Sequence, residues 1–461
     1  GRGLSSNIVI PYILIGRGGP NDSGKVKPPR VTQQIIIGDP EDARRIARMH
    51  TKKPPMPSAF FFNSIISTTN YEEWRRMREH FVTAFLPKAS LRKIFPVSLE
   101  RARYCPTRLE QMIAESPDGT VDISEFFLYE TFAQLQLALY GTDNGFMDRT
   151  NLKFRNSVTG HEHWTYTTKY VKELLNEMSE AQVSGPATQG LNEDTVRGPL
   201  TDALNSFKSI PGKQNFGNAF VFAFAGHDTT GLTLTWLIFE LAQNMGIQRR
   251  LQQEIDDFFK ELNGRDMTYD DIPKLKYMTK CIMETLRLWP VVPNGTFREF
   301  EHDDVIKGAN GENVKVTKGS ICQITNYNRH RDPELWGEDV NVFNPDRDWK
   351  DHEIWANEGL KAYNPHSGRF SPFTFTPRDC IGKNFAHMEM RPILCYILGN
   401  FSFELSDAAA NYDRSTYLGV NYGTMGPQDL TKEGTYKSKG GPFPERRHVG
   451  LTVKAIPRSK T

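Results

Sequence analysis

The 461-residue chain carries 57 Lys+Arg against 55 Asp+Glu, a net charge of +2 that excludes a dedicated nucleic-acid binder on electrostatic grounds. Hydrophobic residues at 38% and aromatics at 11% supply a sizeable core and exclude global disorder. Five scattered cysteines (Cys105, Cys281, Cys322, Cys380 and Cys395) form no CxxC pair or His/Cys cluster. Neither a disulfide framework nor a structural zinc site is therefore expected, and a reducing compartment fits.

In chain order, the sequence opens Gly-Arg-Gly, and the apolar run Ile8–Ile15 is too short to span a bilayer and is broken by Pro11. It reads as a strand, within a strand-and-loop region that extends to about Ile37. A membrane anchor, if the natural protein has one, is expected upstream of this chain. From "GDPEDARRIARMH" the character turns helical. "YEEWRRMREHFVTAFL" places Trp74, Met77, Phe81 and Phe85 on one face. Helices are also expected around 123–140 and 170–182, with polar loops near 141–150 and 184–213.

Residues Asn218–Met245 make the longest apolar segment. His227, Asp228 and Glu240 argue against lipid, so it reads as a helix at the centre of a large core. Helices are predicted over Gln248–Leu262 and Tyr277–Leu288, the latter stopped by Pro290. Strand and turn composition returns over Val291–Asn328, a last long helix ends near Leu398, and the Gly/Pro-dense tail 419–447 reads as loop and hairpin. No internal repeat or linker is visible. The economical reading is one large domain, mainly α with a minor β region.

Three motifs carry chemistry. "AGHDTTG" (Ala225–Gly231) concentrates poor helix formers in the middle of the central helix. This is either a packing notch with threonines bonding back to their own helix, or a local opening in which Asp228 and Thr229 move protons. Glu284 and Arg287 lie three apart on the next-but-one helix, and "FNPDRDW" sets Arg347 among Phe343, Pro345 and Trp349. A buried Glu284 with two arginine donors would lock loop to helix, a structural role. In "SPFTFTPRDCIGKNFA", Cys380 stands at a helix N-terminus with Arg378 nearby, a setting that favours a thiolate. Nucleophile, redox thiol, axial metal ligand and inert core cysteine all remain open there, with His387 the histidine close enough in sequence to act as a base.

Taken together and in this order, these motifs resemble the haem-thiolate monooxygenases of the cytochrome P-450 superfamily, over roughly residues 38–405. The acid-alcohol pair corresponds to Asp228–Thr229, the Glu-x-x-Arg helix to Glu284 and Arg287, and Phe-x-Pro-x-Arg-x-Trp to Phe343, Pro345, Arg347 and Trp349. The ligand loop Phe-x-x-Gly-x-Arg-x-Cys-x-Gly corresponds to Phe373, Arg378, Cys380 and Gly382, and an early Trp-x-x-x-Arg to Trp74 and Arg78. "NRHRDPELWG" (Asn328–Gly337) has the same character. One departure is Thr376, which stands where the loop pattern has a glycine serving a tight turn, so the loop is expected to bend differently. Pro392 inside the last helix should kink it.

The resemblance implies the cytochrome P-450 fold around a buried haem b, with Cys380 the proximal iron ligand and Trp74, Arg78, Arg298 and Arg378 on the propionates. Asp228 and Thr229 would manage protons on the distal side, and Phe224, Ala225, Val292 and Asn294 would line an apolar substrate's site. It further implies molecular oxygen as co-substrate and electrons from NADPH through a cytochrome P-450 reductase. Arg75, Arg76 and Lys383 are candidates for its docking face. A monomer is expected, with the full-length protein at the endoplasmic reticulum membrane, its catalytic domain cytosolic, and this chain a soluble truncated form. Two rivals stay in view: a haem-thiolate isomerase or dehydratase of hydroperoxides, which typically lacks the acid-alcohol pair, and a non-enzymatic haem sensor or electron carrier.

Overall fold

The computed structural model describes residues 8–14, 31–54, 64–141, 198–207, 213–308, 310–355, 367–410 and 451–459. The helix expected at 170–182, most of the loop near 141–150 and the tail 419–447 lie outside the described residues.

Strands β1 (Ile8–Leu14) and β2 (Val31–Ile37) precede helix α1 (Pro40–Met49), which is capped by the Asp39 carboxylate accepting from the Asp42 amide at 2.8 Å. Helix α2 (Tyr71–Phe81) is capped in the same way by Asn70 and buries Trp74, Met77 and Phe81, the predicted face; Phe85 is buried in the 3₁₀ turn that follows. Helices α3 (Arg92–Arg103) and α4 (Cys105–Glu115) lead to strand β3 (Thr120–Asp122) and α5 (Ile123–Gln134), which tightens into a π-helical turn, Leu135–Tyr140. Residues Pro199–Ser206 form α6 rather than the expected loop: Pro199 starts it, where its missing N–H costs nothing, and Leu200 and Leu204 bury one face.

The central helix α7 runs unbroken from Lys213 to Gln243, starting earlier than its apolar stretch suggests. It is followed by α8 (Met245–Leu262) and α9 (Lys276–Leu288), then strands β4 (Thr296–Glu299), β5 (Asp304–Lys307), β6 (Asn313–Val316) and β7 (Ile321–Ile324). Short helices α10 (Asn326–His330) and α11 (Pro333–Trp336) precede the cysteine loop. Helix α12 (Lys383–Asn400), strand β8 (Phe401–Leu405), α13 (Asp407–Ala410) and β9 (Thr452–Pro457) complete the order. Helix α12 continues through Pro392. No helix among the described residues is long and apolar enough to cross a membrane.

Four strands pair in the order β1-β2-β7-β4, with β2 and β7 parallel and the other pairs antiparallel; β3-β9-β8 and β5-β6 make two smaller antiparallel sheets. The fold is thus mainly helical with a minor β part, as expected. The large core is helical. A second, smaller core under the four-stranded sheet holds Ile35, Ile37, Ile46, Phe300, Cys322 and Ile324. Phe375 of the cysteine loop belongs to the smaller core, whereas Phe385, just after the cysteine, belongs to the large one. The cysteine loop therefore bridges the two.

Glycines set how closely α7 approaches α5. A Cβ at Gly231 would lie 3.1 Å from the backbone of Leu128, and one at Gly226 would lie 2.7 Å from the Leu135 side chain. Gly231 faces main chain that cannot swing aside, so Gly231→Leu should cost about 1–3 kcal/mol or more by forcing the helices apart. Gly246, near the start of α8, has nothing within 4 Å of its would-be Cβ. Gly246→Ala should leave stability unchanged or raise it by up to about 1 kcal/mol. Chemical denaturation of both variants beside wild type checks the contrast.

Candidate functional site

The loop preceding the cysteine is fixed by one carboxylate. Glu284, on α9, is fully buried, as is Arg287 one turn later, whose Nε and Nη2 donate to the two carboxylate oxygens at 2.7 and 2.8 Å. Arg347 arrives from the loop and donates through Nε to Glu284 Oε1 at 2.8 Å, and the Asn344 amide adds a bond at 3.0 Å. Arg347 then uses its other nitrogens on the Asp339 carboxylate and on the carbonyls of Trp336, Asp339 and Val342. The expected triad is present and fully bonded. Phe343 and Trp349 are buried beside it. The "NRHRDPELWG" stretch is equally built in: buried Arg329 donates to the carbonyls of Thr325 and Gly368, to Asn326 Oδ1 and to Ser371 Oγ, tying α10 to the start of the cysteine loop.

From Ser371 the chain turns back on itself. The Thr374 amide donates to Ser371 O at 2.9 Å, and the Cys380 amide donates to Phe373 O at 2.9 Å, closing the loop. The left-handed residue is Thr374, at φ 61°, not Thr376, which precedes a cis proline. The sequence comparison pointed to the position of the missing glycine; the backbone places the unusual φ two residues earlier, on a β-branched residue for which it is costly. Gly382 caps α12, and its carbonyl accepts the Ala386 amide.

Cys380 is exposed, although Arg378 and Asp379 before it are buried. Although its own surface is open, the protein massed around the loop raises its thiol pKa, as does Asp379, opposed by the Gly382 backbone amide and by Lys383 and Arg78. The positive charge felt by the sulfur thus comes from Lys383 and Arg78 rather than from Arg378, as the spacing suggested. A thiol of raised pKa becomes a thiolate when a metal supplies the opposing charge. His387 does not serve as a base: it is buried, its ring is stacked on Trp355 at 4.8 Å and tilted against Phe373 at 5.2 Å, and burial drives its pKa well below the usual value.

Four of the predicted site residues sit on or beside this loop, with uneven partners. Arg78 donates to the Asp379 carbonyl at 2.6 Å and to its carboxylate at 2.8 Å, and Lys383 pairs with the same carboxylate. Asp379 is therefore the anchor of α2 on the loop, a residue the motif reading passed over. Lys383 is buried in that pair, which removes it from a docking surface. Arg75 is exposed but paired with Glu72 and Glu79 on its own helix. Arg76 lies 5.8 Å from the Phe207 ring.

Arg378 and Arg298 behave differently from Arg78. The Arg378 guanidinium lies 4.6 Å over the ring of buried Trp74, and none of its three nitrogens has a hydrogen-bond partner among the described residues. Arg298, on β4, is wholly buried; Nη1 reaches Thr296 Oγ1 at 2.6 Å and Phe297 O at 2.8 Å, whereas Nε and Nη2 have no partner there. Burial lowers both pKa values to about 10, and Arg298 further lowers that of Arg378. Two buried guanidinium groups that repel each other and keep free donors call for an anion. The strand that delivers Arg298 is positioned by Gly295, at φ 65°, where a Cβ would lie 1.9 Å from the Ile324 carbonyl oxygen.

On α7, residues Gly217 to Leu241 are buried except Phe224, Ala225, Gly226, Asp228 and Thr229. An otherwise enclosed helix is open along one short stripe, and that stripe holds the acid-alcohol pair. Thr229 Oγ1 donates to Ala225 O at 2.9 Å, and Thr233 and Thr235 bond back likewise at 2.8 Å. The helix is not interrupted: the glycines serve packing and the threonine hydroxyls bond back, while the stripe stays accessible. Buried Glu389 on α12 was missed in the sequence; burial raises its carboxyl pKa well above the usual value, against a smaller opposing effect of the Thr230 side chain. Val292 is exposed and Asn294 partly so, in the turn before β4. Phe222 of α7 packs on Phe85 at 5.7 Å, and Phe85 is also the group closest to Gly382, linking the central helix to the cysteine loop. Residues 60–63 and 417–425, which the same resemblance would also place along the substrate's site, lie outside the described residues.

Comparison with known proteins gives the class first. Residues 214–418 match the sequence profile described as Cytochrome P450. Similar proteins include two from Caenorhabditis elegans, a putative cytochrome P450 CYP13A5, 35% identical over 45% of this chain, and a putative cytochrome P450 CYP13A3, 36% identical over 47%. The matched part spans 36% and 39% of those two proteins' lengths. Cytochrome P450 3A12 of Canis lupus familiaris is 25% identical over 80% of this chain and 76% of its own length. These matches support membership of the cytochrome P450 superfamily, which implies a haem cofactor.

Because Glu284 is shared by two buried guanidinium groups, Glu284→Gln should destabilise the protein by about 3–5 kcal/mol, more than a surface ion pair contributes. Arg75→Ala, which removes exposed pairs, should cost less than about 1 kcal/mol. Urea denaturation of the two variants measures the difference.

Proposed function

We propose that this protein is a haem-thiolate monooxygenase that inserts one oxygen atom of molecular oxygen into an apolar organic substrate, by hydroxylation or epoxidation. The observation that carries the reading is the pair Arg298 and Arg378, buried with donors that have no partner among the described residues, next to the cysteine loop. A haem presents the complementary chemistry, an iron for the Cys380 sulfur and two carboxylates for the arginines. Bound haem b supplies oxygen activation, with one atom entering the substrate and the other leaving as water. The reaction consumes two electrons and two protons per turnover. We assign the electrons to NADPH through a flavoprotein cytochrome P-450 reductase.

The protein's own contribution divides between the two sides of the cofactor. On the cysteine side, the amide of Gly382 and the charge of Lys383 favour the sulfur anion. Trp74 covers Arg378, and Arg78, held by Asp379, keeps α2 against the loop. Arg78 thus acts on the cofactor through the loop. On the opposite side, Asp228 and Thr229 lie on the accessible stripe of α7, where a carboxylate can take protons from water and a hydroxyl can pass them inward. Phe224 and Ala225 on the same stripe are apolar, which suits an apolar substrate, and the resemblance adds Val292 and Asn294 to its site. Monomeric state, location at the endoplasmic reticulum and a cytosolic catalytic domain rest on the resemblance to microsomal members.

Reduced protein with carbon monoxide tests the ligand. Wild type should show the Soret shift of a thiolate-ligated haem and Cys380→Ser should lack it; the same spectrum from both would remove Cys380 as ligand. For the distal pair, Thr229→Ala should raise peroxide released per NADPH consumed several-fold while haem content stays constant. Unchanged coupling counts against the proton role.

A further inference from the structure

One hydroxyl of α5 reaches the backbone of α7 immediately before the acid-alcohol pair. Along α5 and into its π-helical turn, Leu128, Thr131 and Leu135 are spaced three and four residues apart and so share a face. Leu128 meets Gly231 of α7 and Leu135 meets Gly226, with Thr131 between them. Thr131 is fully buried, and its Oγ1 lies 2.9 Å from the His227 carbonyl oxygen and 2.8 Å from the Phe127 carbonyl oxygen of its own helix. A hydroxyl carries one proton, so it serves one of these carbonyls at a time. The Phe132 ring meets the His227 ring edge-on at 4.9 Å, and His227 Nδ1 lies 2.8 Å from Ala223 O, so the His227 side chain is held as well. Thr229, Thr233 and Thr235 on α7 behave differently, each donating within its own helix. Thr131 makes the bond that crosses.

We propose that Thr131 is a positioning residue for the Asp228–Thr229 pair, acting by donation to the His227 carbonyl. This rests on the proton role proposed above. A carbonyl oxygen and the amide that follows it lie in one rigid plane, so a donor fixed on His227 O fixes the peptide that begins Asp228. The direction in which Asp228 and then Thr229 leave the helix is thereby set from α5. Helix α7 runs unbroken here, and a helical carbonyl that takes the amide four residues on keeps a second lone pair for the hydroxyl. Turning the hydroxyl to Phe127 O releases the plane without leaving the buried proton unsatisfied, since it has an acceptor in either orientation.

The test is the rate at which dithionite-reduced, haem-loaded protein is reoxidised on mixing with air-saturated buffer, which needs neither substrate nor reductase. Thr131→Val keeps the branched shape and removes the hydroxyl. It should change the rate by about fivefold in the same direction as Thr229→Ala, the scale of one neutral hydrogen bond. Thr131→Ser, which restores the donor, should stay within about twofold of wild type, as should Thr235→Val, which removes a hydroxyl bonded inside α7. Added to Thr229→Ala, Thr131→Val should change the rate by less than about twofold, because a residue that acts through the pair has nothing left to position. Thr131→Ala carries the same comparison if the valine variant takes up no haem. A wild-type rate for Thr131→Val would overturn the proposal. So would the full fivefold factor on the Thr229→Ala background, or an equal effect of Thr131→Ser or Thr235→Val, each of which makes Thr131 a structural group. A wild-type rate for Thr229→Ala would instead remove the proton role itself, and the positioning of it by Thr131 as well.

Discussion

Glu284 has no exposed surface and accepts from two guanidinium groups and a backbone amide, so helix and loop meet on its two oxygens. Arg287 shares its helix, while Arg347 and Asn344 come from the loop that leads to the cysteine. In water such a network would contribute little. Here the cost of desolvating the charges has already been met by the surrounding fold, and every donor is matched, so the arrangement is stiff and intolerant of partial loss. Arg287 Nη1 also reaches the His330 carbonyl, and His330 Nε2 accepts the Ser371 amide at the mouth of the cysteine loop. The position of Cys380 thus descends, through a short chain of buried bonds, from one carboxylate on α9.

The contrast with Arg298 and Arg378 is the informative one. Both networks place arginine in the interior, but the first is complete and the second is not. A native fold rarely leaves five guanidinium nitrogens buried and, among the described residues, unbonded, since each costs free energy comparable to a lost hydrogen bond. A chain that keeps such a pair, and packs one of them on a tryptophan face, has stored an electrostatic demand that an anionic ligand satisfies. Binding and folding stability are then coupled: the group that meets the demand stabilises the folded state by its affinity.

What was legible in the sequence follows from how local each feature is. Helix α2, the helical centre α7 and the triad Glu284–Arg287–Arg347 could be read because periodicity and short spacing carry them. The loop's backbone could not. Glycine at Thr376 is what the pattern lacks, yet the left-handed φ falls on Thr374, because the bond from Thr374 to Ser371 fixes the turn before position 376 is reached. Helix α6 was hidden in a Gly/Pro-rich context, its two leucines too few to register as a period. Asp379 escaped for a different reason. It acquires its meaning from Arg78, hundreds of residues away, and tertiary register is invisible in a local window.

Helix α7 shows why the same residues could support two readings. Its glycines answer to α5, where the Leu128 backbone leaves no space for a side chain, and its threonines bond back to their own helix, so the packing account of "AGHDTTG" is correct for them. The accessible stripe is the residue of that packing. Close approach to α5 at Gly226 and Gly231 fixes α7 firmly, and Asp228 and Thr229 fall on the stripe that stays accessible. A carboxylate and a hydroxyl on a rigid support at the edge of an apolar interior are held in position before any substrate arrives, which is the condition under which a proton relay gains from geometry rather than from flexibility. The packing notch and the proposed proton site are therefore two faces of one constraint.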